Sequence, residues 1–372
     1  MIAAFLICTC YAFFGFLYSP SEFTIFALIF IVISASPLLL AGRASIKLPA
    51  VDHNSPSAGI ICIGVFIGFS NLALIAISAG YSVVDLLDPN GFVLIAADST
   101  TKRYTEGGSS GNPVLLAISL TLCYSVGASA QRLSVISKFS PFIPTILYTL
   151  LSTEKWPTFL GGAFYIVGVF AGQSEASAMR KIVRTLLLFS FLGLALGVLA
   201  LIMRGYEGDL LLIPAQLLHY ILAPFHALGY WLTVKGGDLA WGGLGRYTFI
   251  GIATQLGVIT RDAGVYSENV TIYGIETNIY SSWRYLVEDW SVVGPVSINL
   301  ALSLIFLLLI HLKFIRAAHL LRCFLILCAV LSLNVTPFVH NSVSLAAFLA
   351  LSLTYLQDIS WRKYLRAGIK LN

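Results

Sequence analysis

Four arginines, Arg204, Arg246, Arg261 and Arg284, share the stretch 204–293 with the carboxylates Glu276, Glu288 and Asp289, in a chain that is otherwise mostly apolar. A guanidinium held near a bilayer surface offers a planar fork to phosphate oxygens, pairing charge with two parallel hydrogen bonds. As a group the arginines point to a phosphate-bearing lipid; for any single one, the plainer reading is a solvated charge or an ion pair with Glu207, Asp262 or Glu288. The segment 274–297 adds Asn278, Tyr280, Trp283 and Tyr285, amides and flat faces of the kind that hold sugar rings. Its acids Glu276, Glu288 and Asp289 are candidate bases, since a general base must reach the hydroxyl it deprotonates. An aromatic belt at a membrane interface explains the Trp and Tyr equally well but leaves the acids unexplained. Of the six histidines, His219 and His226 are the two placed to meet a substrate; none has metal-ligand spacing.

The elements that must carry these groups follow from composition. Among 372 residues 58% are hydrophobic and 10% charged, with a mean hydropathy of +0.88, whereas soluble domains carry roughly 25% charged residues. The chain therefore reads as an all-α, polytopic integral membrane protein. The first segment lacks a basic n-region and a small-residue cleavage site, so it reads as a retained span. The six cysteines fall inside apolar segments, which implies neither a disulfide framework nor a metal site. A net charge of +5 gives no case for a nucleic-acid partner, because in membrane proteins the placement of Lys and Arg sets orientation.

Segments of spanning length occur at about 1–19, 22–41, 57–81, 113–130, 139–154, 157–174, 184–203, 292–312, 321–338 and 341–357. The apolar stretch 210–232 is ambiguous, and charge decides it. If it does not cross, the loops 42–56, 131–138, 175–184 and 313–322 and the tail 358–372 share one face and hold 14 of the 22 Lys and Arg. The other eight are Lys102, Arg103, Lys155, Arg204, Lys235, Arg246, Arg261 and Arg284. The positive-inside rule then puts both termini in the cytoplasm. The stretch 210–232 becomes an interfacial or re-entrant helix, with Gln216, His219 and His226 facing outward on one side and Leu, Ile and Phe covering the other. Pro214 and Pro224 would kink it. The organisation is thus an N-terminal block of spans, 1–203, with an external loop at 82–112; a large external loop, 204–291; and C-terminal spans with a basic tail, 292–372. The Ser- and Gly-rich end of the first loop, 99–112, reads as mobile.

No Walker loop, no GxGxxG after a strand and no HExxH occurs, so ATP use is unsupported. Spans nearly free of charge speak against ion-coupled transport, which places ionisable groups near the midplane.

The chain resembles the O-antigen polymerases, the oligosaccharide repeat unit polymerases of bacterial inner membranes. Its hydropathy plan is similar over nearly the whole length, and three local marks carry the resemblance. Asn278-Ile279-Tyr280-Ser281 followed by Asp289-Trp290-Ser291-Val292-Val293-Gly294 looks like the family's Asn-x-Tyr-Thr run and Asp-Phe-Gly-x-x-Gly turn, with Ser at 281, Trp at 290 and Ser at 291 as departures. Gly245-Arg246-Tyr247-Thr248-Phe249 is similar to its glycine before Thr-Phe. Ser152-Thr153-Glu154-Lys155 looks like its Thr-Gly-Ser-Arg turn, with Lys for Arg and bidentate geometry lost. The resemblance implies a GT-C-like architecture and a glycosyltransferase without metal or cofactor. A hydroxyl of one lipid-linked repeat attacks the anomeric carbon of another, and undecaprenyl diphosphate leaves. Arg204, Arg246, Arg284, Arg103 and Lys155 would hold the diphosphate; Asn278, Tyr280 and Trp283 the sugars; and Asp289, Glu276 or His219 would take the proton. The expected partners are undecaprenyl-diphosphate-linked oligosaccharide, membrane lipid and a chain-length regulator. A ligase onto lipid A core and a lipid-linked oligosaccharide flippase are the rival readings.

Overall fold

The computed structural model of the chain describes residues 1–42, 56–106, 111–152, 156–172, 195, 213–235, 243, 245–258, 270–273, 275–277, 282–331 and 341–366. Among these the chain is overwhelmingly helical. Helices α1 (Ile2–Tyr18) and α2 (Glu22–Ala35) lead into a 3-10 turn (Ser36–Leu39). Then come α3 (Ala58–Ser78), a second 3-10 turn (Val83–Leu87), α4 (Pro89–Glu106), α5 (Pro113–Ala128), α6 (Val135–Phe139), α7 (Phe142–Ser152) and α8 (Trp156–Gly172). The later part holds α9 (Ile213–Lys235), α10 (Ile250–Gln255), β1 (Val270–Ile272), β2 (Ile275–Thr277), α11 (Ser282–Trp290), α12 (Gly294–His311), α13 (Ile315–Leu331) and α14 (Asn341–Arg366).

Glu22–Leu39, Ala58–Ser78, Val135–Ser152 and Gly294–His311 are long and apolar enough to cross a membrane. Ile2–Tyr18, Pro113–Ala128, Pro157–Ala171 and Asn341–Thr354 are apolar but shorter. Helices stand at each expected span except 184–203, which, apart from residue 195, lies outside the described residues.

The described residues are mostly helical, as expected of an all-α membrane protein, with one short antiparallel hairpin, β1–β2, in which Val270 pairs with Thr277, Thr271 with Glu276 and Ile272 with Ile275. Tyr273 opens its two-residue loop at φ 52, the left-handed twist that short hairpin loops favour. Two expectations are corrected. The stretch 99–112, read as mobile, is helical as far as Glu106. Asp88 Oδ2 accepts from the Gly91 N–H at 3.1 Å ahead of the first turn, Ser99 Oγ donates to the Leu151 carbonyl at 2.9 Å, and Lys102 Nζ donates to the Ser78 carbonyl at 2.9 Å. The expected basic loop 313–322 contracts to a short turn. Lys313 takes φ 62, and the Phe314 and Lys313 N–H groups close on the Leu309 and Ile310 carbonyls, so α13 begins already at Ile315. Arg316 and His319 are thereby buried on a helix.

The chain divides into two compact units, one of residues 1–47, 210–340 and 354–372 and one of 48–209 and 341–353. In the first, the turn between α1 and α2 is fixed by Ser21 and Thr24, whose side chains each accept the other's backbone N–H. Asn299 Nδ2 and Ser303 Oγ of α12 donate to the Ser34 and Pro37 carbonyls at 2.9 and 3.0 Å, which satisfies acceptors left open where α2 ends. In the second, α5 and α8 cross closely enough that a Cβ at Gly127 would strike the Tyr165 carbonyl and one at Gly168 the Tyr124 carbonyl, the close approach that small residues permit between apolar helices.

Candidate functional site

Within the first unit, α9 packs against α1, α2 and the hairpin, and its histidines reach the α1–α2 turn. Tyr18 Oη lies 3.0 Å from His219 Nδ1, and Ser19 Oγ lies 2.9 Å from His226 Nδ1, with Ser21 Oγ at 3.5 Å. Tyr273 of the hairpin donates its hydroxyl to the Tyr18 carbonyl at 2.9 Å and sets its ring edge-on to that of Tyr18. The outward polar face expected of this helix is therefore turned inward. His219 is buried at 5% exposure, while Leu218 and Val234 are exposed. The physical reason is the pair of hydroxyls at the end of α1, Tyr18 and Ser19, which give the imidazoles partners inside the unit.

Burial lowers the pKa of both histidines from the ordinary 6.5. A neutral ring accepts from the Tyr18 hydroxyl at Nδ1 and keeps its proton on Nε2, and that atom of His219 has no hydrogen-bond partner among the described residues. The pH dependence follows in sign. An unfolded chain binds the proton first, so stability is level above about pH 6.5 and falls as pH drops below it. His219→Gln should remove part of that fall, leaving the His226 share; thermal unfolding of both proteins from about pH 5 to about pH 8 measures it. An unchanged slope in the variant would contradict the assignment.

The seat of α9 depends on Gly229, where a Cβ would strike the Phe23 carbonyl. Backbone cannot yield as a side chain can, so Gly229→Val should shift α9 off α2 at a cost of about 1–3 kcal/mol. Thermal unfolding in detergent measures the loss, and a melting temperature equal to that of the parent would argue against this packing.

A second cluster forms around α11. Asp289, with no exposed surface, accepts from the backbone N–H of Tyr247 at Oδ1 (3.0 Å) and of Thr248 at Oδ2 (2.6 Å). A Cβ at Gly243 would collide with that carboxylate, and Gly245 takes φ 93 to bring the two N–H groups round. Asp289 thus ties the stretch 245–249 to the stretch 289–294, and Arg246 stands exposed on the turn it holds. On the far side, Ser291 adopts φ 61 and its carbonyl accepts from the Gly294 N–H at 2.9 Å. The left-handed conformation explains why glycine suits position 291. Ser291→Gly should stabilise the protein by about 0.5–1 kcal/mol, read as a raised melting temperature; a lowered one would contradict the strain.

The expected site residues separate. Arg284, expected at a phosphate, is 4% exposed, with its Nε 3.0 Å from Glu288 Oε1 and its guanidinium 4.7 Å from the centre of the Trp231 ring. It joins α11 to α9 as a packed ion pair and cation–π contact. Trp283, expected as an open face for sugar, is 5% exposed. Asp289, expected as a base, has both oxygens occupied by backbone donors, so its geometry is that of a positioning residue. His219 and Trp231 stand twelve positions apart on α9, about 18 Å at about 1.5 Å per residue, so the His219 and Arg284 contacts are two stations on one helix. Arg204, Lys155, Asn278, Tyr280 and Arg261 lie outside the described residues. The backbone places Arg103 on α4 and Glu276 in β2, and their side chains lie outside the described set. Arg246 is the expected phosphate ligand that presents an exposed side chain among the described residues. Tyr18 and Ser19 were not foreseen, and Tyr247 and Thr248, members of the Gly245–Phe249 mark, were given no role. The polar break Tyr18-Ser19-Pro20-Ser21 between two apolar runs was the available signal for the first pair; donors that act through the backbone leave none.

Comparison with known proteins finds no matching family, no matching curated protein and no matching solved structure.

Proposed function

We propose that the chain is a metal-independent glycosyltransferase that polymerises undecaprenyl-diphosphate-linked oligosaccharide repeat units into O-antigen or a related surface polysaccharide. In this reading it spans the bacterial inner membrane about ten times with both termini cytoplasmic, has a GT-C-like architecture and works at the periplasmic face. The observation that carries the reading is the pair of hydrogen bonds that Asp289 accepts from the Tyr247 and Thr248 N–H groups, which join two of the stretches that resemble the polymerase family and leave Arg246 exposed on the turn so held.

In the reaction an acceptor hydroxyl oxygen bonds to the anomeric carbon, the bond from that carbon to the diphosphate oxygen breaks, and the diphosphate departs with the electron pair. Arg246, on a turn whose backbone is held before the charge develops, stabilises that departure; electrostatic stabilisation of this kind is commonly the largest catalytic contribution. Asp289 positions it. Glu276 is the candidate to receive the hydroxyl proton; His219, buried with Nδ1 on the Tyr18 hydroxyl and its proton on Nε2, offers no free acceptor nitrogen.

The test supplies purified protein in liposomes with lipid-linked repeats and no lipid A core. A ladder of products supports the polymerase. Product that forms only after lipid A core is added favours the ligase, and repeats that change leaflet without forming a glycosidic bond favour the flippase.

A further inference from the structure

Between α3 and α4, in the second unit, the surface carries an apolar patch that no packing among the described residues of that unit uses. Val84 is 69% exposed and Leu87 85%, with Val83, Val93 and Leu94 exposed beside them. These residues belong to the second 3-10 turn and the start of α4, both packed on α3. Their sequence position is an external loop, where a row of open Val and Leu has no solvation rationale.

The exposed stripe of α4 changes character along its length. Asn90, Val93, Leu94, Ala97, Asp98, Thr101 and Lys102 recur at helical spacing on its open side, with Asn90 at the first turn, an apolar run at 93–97 and a polar run from Asp98 onward. The polar end is anchored: Tyr81 donates to Asp98 Oδ2 at 2.6 Å, and Lys102 caps the Ser78 carbonyl. The turn and α4 pack on α3, a helix long enough to cross a membrane, whose own exposed side chains include Ile60, Ile63, Phe66 and Ile77. The two acids near the patch spend their carboxylates on the backbone, Asp85 Oδ2 on the Ser82 N–H at 2.8 Å and Asp88 Oδ2 on the Gly91 N–H.

We infer that residues 83–94 are a lipid anchor, in which Val83, Val84, Leu87, Val93 and Leu94 enter the acyl region of one leaflet while Asp98 and Lys102 stay at its aqueous edge. An apolar-to-polar change along a single stripe is what a slab boundary demands. Packing of the patch on a helix of membrane-crossing length and composition selects bilayer over a protein partner. The anchor would hold α4 against the ends of α3 and α7 independently of any enzymatic role.

The experiment uses the full chain in nanodiscs, with Cys10, Cys62 and Cys328 changed to serine and a nitroxide attached at Leu87→Cys, Leu94→Cys or Thr101→Cys in turn. The labels at 87 and 94 should be relaxed by oxygen in preference to a water-soluble nickel chelate, and the label at 101 the reverse. Preferential relaxation by nickel at 87 and 94 would overturn the anchor by placing them in water. Loss of access to both relaxants there would also overturn it, in favour of a second protein surface. Unchanged thermal unfolding of each variant establishes that the fold is the parent's.

Discussion

Replacing Asp289 with alanine is expected to end chain elongation and to lower stability by about 2–3 kcal/mol, because it strands two backbone N–H donors at once, that of Thr248 buried and that of Tyr247 half-buried. The carboxylate is fully buried and joined to Tyr247 and Thr248 at 3.0 and 2.6 Å, so it holds the turn that presents Arg246. Asp289→Asn separates this role from that of a base. An amide keeps one acceptor oxygen but sets an NH2 against the second backbone N–H, so the turn loosens without a cavity. A positioning residue then predicts weakened donor binding and lower turnover with the pH–rate profile unchanged in shape. Loss of the ascending limb of that profile would instead identify Asp289 as the proton acceptor.

Arg246→Ala should reduce elongation by about 100-fold or more with the protein still folded and inserted, the scale on which removal of one preorganised charge-stabilising donor acts. The side chain is exposed, so its removal leaves no cavity, and unfolding should shift by no more than about 0.5 kcal/mol. Arg246→Lys should recover only part of the rate, since an ammonium keeps the charge but not the planar fork. The contrast with Arg284 is direct. Arg284→Ala is expected to act through stability, because that guanidinium lies against Trp231 and Glu288 in the interior. An Arg246→Ala protein that elongates at the parent rate would remove Arg246 from the diphosphate site.

Most helices were legible because an apolar run of spanning length leaves the backbone few alternatives to helix. What the run could not show was its end. The α12–α13 turn is set by Lys313 in a left-handed conformation, which no residue preference announces, so basic residues that read as a loop are helical. Serine and glycine made 99–112 look mobile, yet capping by Asp88 and the tie from Lys102 to Ser78 carry the helix through to Glu106. In the candidate site, residue type was legible, and of the partners only Glu288, one of three acids open to the arginines, was. Arg284 and Arg246 look alike in sequence, and only the position of Glu288 one turn along, with Trp231 on another helix, separates a buried ion pair from an exposed cation. The histidines were found by their spacing, but their direction was misjudged, because the hydroxyls that draw them inward lie some two hundred positions away at Tyr18 and Ser19.

The most direct test of the polymerase reading counts undecaprenyl diphosphate released against glycosidic bonds formed by purified, reconstituted protein given lipid-linked repeats alone. One diphosphate per new linkage, with both falling together in Arg246→Ala, is the predicted result. Diphosphate released without linkages, or repeats consumed with neither product, would contradict it.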